Sequence, residues 1–196
     1  MADFPSVPFT TMDMNSNTPT VVVKSINGLE TRTQVSTQYF SFTANFTNLT
    51  DTQRRQIIGF LMKKRGSLQP FTIDLPAPFQ DSSGNYSGTI TVVTGSAGAF
   101  SVTATVTTSG AQVLKAGDFI KFSGHNKLYM VTDDATAVGT NVTINLFPAL
   151  RTSVATNTIT HKDVPMYVKC GNDQFGYRAD TNLYSSFDID FIEVIQ

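Results

Sequence analysis

His125 and His161 are the only histidines in this 196-residue chain, and Cys170 is its only cysteine. With the neighbouring carboxylates Asp133–Asp134 and Asp188/Asp190, these residue types could serve proton transfer, nucleophilic attack or metal binding. Their spacing argues against each. Neither histidine stands in an H-x-x-x-H arrangement or beside a carboxylate pair of catalytic type. His125 falls in the tight SGHN loop at Ser123–Asn126, where histidine suits turn geometry. His161 sits at a junction, where a structural hydrogen bond is the simpler role. Asp133 and Asp134 follow a strand, the usual place for capping aspartates, and a calcium loop would need more oxygen ligands at regular spacing. Asp188 and Asp190 share one face of a terminal strand and read as its polar side. There is no G-x-S-x-G elbow. The GSAG stretch at 95–98 is not followed by the lysine-bearing helix of a phosphate cradle. Cys170 has no matching histidine nearby and reads as a buried, inert thiol. A single cysteine makes neither an internal disulfide nor a cysteine metal site. No catalytic, cofactor-binding or metal-ligating residue is assigned, and no cofactor is expected. Tyr86, Phe100, Phe122 and Tyr129 could stack on a sugar. The chain has no tryptophan, and Phe100 and Phe122 lie within strand patterns, so core packing is the preferred reading.

The clearest local pattern is YFSFTANFTNLTDTQRRQIIGFLMKKRG, from Tyr39 to Gly66. Phe40, Phe42, Ala44 and Phe46 fall on one side of an extended strand, opposite Ser41, Thr43 and Asn45, with the period of two of a half-buried strand. The period then changes. Thr50 and Gln53 fit a capping box. Ile57, Ile58, Leu61 and Met62 form an apolar helical stripe. Lys63, Lys64 and Arg65 suit the negative end of the helix dipole, and Gly66 is the expected left-handed stop. A strand at Phe71–Leu75 completes the unit. Upstream, Pro5, Pro8 and Pro19 make residues 1–20 an extended arm or edge segment. Val21–Ile26 and Leu29–Val35 form a hairpin through Asn27-Gly28.

After Pro76 the pattern shifts. Gln80–Ser87 reads as a polar linker. Strands are expected at Ser87–Val93, Phe100–Thr107, Phe119–Phe122, Lys127–Thr132 and Asn141–Leu146, with a last element at Ile159. Ala116-Gly117-Asp118 is a turn. Many short strands with frequent turns suggest a small barrel. From Val164 the first style of pattern returns, and Phe187, Ile189 and Phe191 make the terminal strand a partner for Phe40–Phe46. The expected fold is mainly β: a β-sandwich or split barrel with one short α-helix, carrying an inserted small β-barrel. The expected domains are 1–80 with 163–196 for the first and 84–162 for the insertion.

Charged residues make up only 15% of the chain and the net charge is −1, so no basic field argues for nucleic-acid binding. The cluster Arg54, Arg55, Lys63, Lys64 and Arg65 is local to the helix. A surface of Thr, Ser, Asn and Gln fits permanent assembly, where exposed charge would oppose close subunit packing. The segment MADFPSVPF lacks the basic start and apolar core of a signal peptide. No apolar run approaches the roughly 18 residues of a membrane span.

The segments FPSVPFTTMDMNSNTPT, GFLMKKRG and PFTIDLP, the insertion LKAGDFIKFSGHNKLYMVTDD and the final LYSSFDIDFIEV resemble tail proteins of bacteriophages and prophages. The resemblance is closest to the distal tail protein family of long-tailed phages. It implies a structural virion protein that forms a homo-hexameric ring at the distal end of the tail tube, joining tube to baseplate or tail tip. Its partners would be tube, hub or tip proteins, and assembly would occur in the host cytoplasm. Two other readings stay open: a receptor- or carbohydrate-binding module of the tail, and a tube or terminator protein. A closed ring satisfies exposed sheet edges without open-ended growth. Phe4, Pro5, Val7, Pro8 and Phe9 form the candidate subunit-contact arm. Deleting residues 1–18 is expected to weaken the ring and leave the fold intact.

Overall fold

The computed structural model describes residues 3–35, 37–79, 86–173 and 185–195. Residues 80–85 of the expected linker lie outside them. The described residues are mainly β with one α-helix and a closed barrel, as the sequence predicts. The first elements are β1 (Thr11–Asn17), β2 (Thr20–Lys24), β3 (Glu30–Gln34), β4 (Tyr39–Leu49), α1 (Asp51–Lys64) and β5 (Phe71–Asp74). A short 3-10 turn follows at Ala77–Phe79. Next come β6 (Ile90–Thr94), β7 (Ser101–Val106), β8 (Gln112–Leu114), β9 (Phe119–Phe122), β10 (Leu128–Val131), β11 (Ala135–Thr136), β12 (Asn141–Phe147) and β13 (Thr158–Thr160). The last two strands are β14 (Pro165–Cys170) and β15 (Ser185–Glu193).

The backbone divides into two compact units: one takes 71–167 with residues 3–4 and 195, the other 5–70 and 168–194. This division assigns β5 to the barrel unit and passes through β14. The sheet order is β1-β4-β15-β14-β5.

In the second unit, β4 is the organising strand. Its side chains alternate between buried and half-buried from Tyr39 to Phe46, because one face of the pleat meets the core and the other does not. Phe40, Phe42, Ala44 and Phe46 are all at most 2% exposed. β15 pairs antiparallel with β4, placing Phe191 opposite Phe42 and Phe187 opposite Phe46. Those rings lie 4.9 and 5.6 Å apart in tilted packing, a favourable aromatic geometry. β1 pairs with the other edge of β4 through seven consecutive residues.

Thr50 caps α1 as expected. Its hydroxyl accepts from the Gln53 N–H at 3.4 Å, and Gln53 Oε1 accepts from the Thr50 N–H at 3.0 Å. Two details depart from expectation. The residue that leaves the helix in the left-handed conformation is Arg65 (φ 56°), whose N–H donates to the Met62 carbonyl; Gly66 follows at φ 67°. The apolar stripe is narrower than expected. Ile57 and Leu61 are buried, Ile58 is half-buried, and Met62 is 49% exposed. The buried seam is thus the i, i+4 pair Ile57 and Leu61, neighbours on one helix face.

In the first unit, six strands close into a barrel in the order β10-β12-β7-β6-β13-β9. β7 and β12 alternate strictly, with Val102, Ala104, Val106, Val142, Ile144 and Leu146 facing inward. Side chains fill the interior, as a barrel this narrow requires. Phe122 and Tyr129 meet edge to face at 5.2 Å. Phe100 lies outside this core, just before β7, and is 63% exposed. The small sheet β11-β8 was not foreseen.

Candidate assembly surfaces

The residues with chemical potential are not brought into a common site. The His125 ring lies 3.0 Å from the Thr152 hydroxyl through Nε2, and burial holds its pKa below the ordinary histidine value. His161 is buried, with Nε2 at 3.4 Å from the Tyr86 carbonyl. Asp133 accepts from Asn145 Nδ2 and the Thr132 hydroxyl, both at 3.0 Å. Asp134 accepts from the Ala116 N–H and Gln112 Nε2. Both aspartates therefore tie loops, as expected of strand-end carboxylates. Asp190 accepts from the Thr43 hydroxyl at 2.6 Å, and Asp188 is exposed on the same strand face. Burial pushes the Cys170 thiol up to about 11, with the Asp173 charge adding to the shift, so it is a poor nucleophile at neutral pH. Among the described residues, no group of three or more His, Cys, Asp or Glu side chains could hold a metal ion. Among the described residues, no helix is long and apolar enough to cross a membrane.

The candidate contact arm is built into its own chain. Phe4 is 7% exposed and stacks on Phe71 at 6.1 Å. Val7 is buried, and Phe9 meets the edge of Phe46 at 5.4 Å. Pro5 is half-buried; only Pro8 of the five is exposed. The segment then becomes β1. It is an edge strand with a proline-broken lead.

The β2–β3 hairpin is present as the sequence predicts, but the sequence did not single it out as an assembly surface. Every residue of both strands is exposed. Gly28 at φ 83° makes the turn, a conformation glycine adopts without steric cost. The register sets Val21 opposite Thr33 and Val23 opposite Thr31, and Ser25 and Pro19 continue the pairing to Leu29 and Val35. One face therefore carries Val21, Val23, Leu29, Thr31, Thr33 and Val35, with no charge. The other carries Lys24, Glu30 and Arg32. Lys24 Nζ and Arg32 Nη2 lie 2.8 and 3.1 Å from the Glu30 carboxylate and hold its pKa below the usual value. The ribbon is amphipathic, yet its apolar face is uncovered: Val21, Val23, Leu29 and Val35 are 50–68% exposed. A two-stranded ribbon is marginally stable by itself in water, and an exposed strand pair offers edges to another chain. The signal was present in the alternation of residues 21–35 about Asn27-Gly28. Period reveals which side chains share a face but not whether anything covers it.

Residues 81–163, which include the barrel strands, match the family described as Distal tail protein pb9, B domain. This segment is similar to a distal tail protein domain. The match spans less than half of the chain and supports its assignment to the phage distal tail protein family. No curated protein matches the chain. The matched family is one of structural phage tail proteins.

Proposed function

We propose that this distal tail protein forms a homo-hexameric ring at the distal end of the tail tube and joins the tube to the baseplate or tail tip. It acts by geometry and carries out no catalysis, with assembly in the host cytoplasm. The observation that carries this reading is the β2–β3 ribbon: an uncharged valine-rich face, at least half exposed at Val21, Val23, Leu29 and Val35, on a two-stranded element. Such a face is stable in water only at a cost, which burial against another protein removes. A closed ring is the assembly that covers it in every copy without leaving an end. The exposed Pro8 and the edge strand behind it supply the arm's share of subunit contact. We also propose that the barrel is an insertion, 84–162, into a discontinuous domain of 1–80 and 163–196. Insertion at a surface loop leaves the packed elements of the host domain intact.

Negative-stain microscopy of the purified chain tests the ring. Sixfold rings are expected; filaments would point to a tube protein, and monomers at high concentration would overturn the reading. Replacing Val21 and Val23 with lysine should abolish the rings while leaving the melting temperature within about 2–4 °C, as for surface changes. Limited proteolysis tests the insertion, with first cuts expected near Gln80–Ser87 and His161–Asp163. The carbohydrate-binding reading has less support, since Tyr86, Phe122 and Tyr129 are buried and Phe100 alone of the four is exposed.

A further inference from the structure

Gly59 lies in the middle of α1, on its exposed side, and a Cβ added there would meet no atom of the described residues within 4 Å. Its backbone is ordinary helix, with no positive φ. Glycine at such a position weakens a helix by about 1 kcal/mol relative to alanine, and nothing among the described residues uses the space it leaves. Its neighbours one turn away, Arg55, Met62 and Lys63, are exposed too. This strip thus combines an exposed methionine, a bare stretch of backbone and two cations. Residues 51–65 hold five cations against the one carboxylate of Asp51, a net charge of +4 in a chain whose total is −1. The rest of the chain therefore carries −5.

The complementary surface is on the same unit. On the polar face of the sheet, Asp13, Thr43 and Asp190 stand in one row across β1, β4 and β15, and Thr11, Asn45 and Asp188 stand in the next. Asp13, Asp188 and Asp190 are exposed. Beside them is a depression of about 250 Å³ lined by Asn15, Ser41, Gly171, Asn172 and Asp190. The alternation of β4 turns this face away from Phe40, Phe42 and Phe46, whereas Ile57 and Leu61 of α1 turn into the core. The basic strip and the acidic face are thus different surfaces of one unit, opposite in charge, and both uncovered.

We infer that the Arg55–Gly59–Met62–Lys63 strip of α1 docks on the Asp13–Asp188–Asp190 face of a second copy of this chain. The inference rests on the ring reading and gives it a subunit contact. Because the two surfaces differ, the contact is head to tail, the type that generates rings when its rotation closes. Gly59 lets the partner's backbone approach the helix axis, and Met62 supplies a flexible apolar contact. Lys63 provides charge complementarity, which fixes register and suppresses wrong pairings, while Arg55 is paired within the helix to Asp51 at 2.6 Å.

Gly59→Ala separates this idea from a purely internal role. It should raise the thermal stability of the monomer and at the same time weaken assembly, read by light scattering across a concentration series. Lys63→Glu should raise the concentration for half-assembly by about tenfold or more. Asp188→Lys should do the same, and the double variant should recover most of the loss. Wild-type assembly with all of these variants assembling normally would overturn the docking and leave the ring reading standing. A wild-type chain that stays monomeric at every concentration would overturn both. Single variants that weaken assembly without recovery in the double variant would overturn the pairing of these two surfaces.

Discussion

Glu193 accepts a hydrogen bond from the main-chain N–H of Phe40 at 2.9 Å, across 153 residues of sequence. The carboxylate is 4% exposed and meets β4 next to the Ile192–Ser41 pair, the last in that ladder. It supplies an acceptor where the partner strand's backbone gives out. Removing it leaves a buried N–H without that partner, a loss of about 1–3 kcal/mol. Glu193→Ala should lower unfolding free energy by that amount in urea titration. Glu193→Gln, which keeps an acceptor oxygen, should lower it less.

Phe42 and Phe100 are both phenylalanines in strand-like sequence, and they should respond oppositely to truncation. Phe42 is 1% exposed and packs on Phe191 at 4.9 Å. Phe42→Ala should cost about 3–5 kcal/mol. Phe100 is 63% exposed, and Phe100→Ala should stay within about 0.5 kcal/mol of the parent. Equal losses in a denaturant series would show that the face of β4 has been misassigned.

The capping box gives a local test of α1. The Thr50 hydroxyl takes up one of the free amides at the helix start, and the Gln53 side chain serves the amide of Thr50. Thr50→Ala should destabilise the chain by about 1 kcal/mol, and Thr50→Gly by only a few tenths. Chemical denaturation measures both. The order matters more than the size, since an alanine more stable than glycine here would mean that the cap is not carrying the helix start.

The aromatic strand, the cap and the pairing of β15 with β4 were legible in the sequence because each is written in a repeating or local signal. Phe40 to Phe46 keep strict period two, and Thr50–Gln53 is a four-residue motif. Other features leave no such trace. Met62 fits the helical stripe, but the helix buries only the seam through Ile57 and Leu61. Phe100 precedes β7 by one residue, so the alternation that buries Val102, Ala104 and Val106 does not include it. β8 and β11 are three and two residues long, too short for any period. Glu193 could not be read because its partner lies in a distant strand. Among the residues considered for assembly, the sequence pointed to Phe4 and Val7, which the fold uses for its own packing. It passed over Val21 and Val23 because their exposure is a tertiary fact.

Cys170 is 0% exposed and its thiol is pushed from an ordinary value near 9 up to about 11. A pKa higher in the folded than in the unfolded state means that the unfolded chain loses its proton first. The contribution to stability is therefore intact below about pH 9 and declines as pH rises towards 11. Thiol titration at pH 8 should show negligible reaction in the native protein and one reactive thiol after unfolding. Rapid native labelling would mean that β14 opens readily or that the thiol faces solvent.

Removing residues 1–18 should damage the fold itself, in contrast to what the sequence suggests for a loose arm. The deletion takes all of β1, which pairs with β4 through seven residues. It also removes the Phe4 ring from Phe71, the Phe9 ring from Phe46, and the Thr10 N–H that donates to the Asn45 carbonyl. β4 would become a bare edge with unpaired backbone groups, a template for aggregation. The expected outcome is a lowered melting temperature with loss of soluble protein. A milder variant separates assembly from folding. Pro8→Ala alters the one exposed residue among the five arm positions and leaves Phe4, Val7 and Phe9 seated. If it shifts the oligomer distribution in light scattering at unchanged melting temperature, the arm contributes to subunit contact. An unchanged distribution assigns the arm to the fold of its own chain and leaves the contact to the ribbon and the helix.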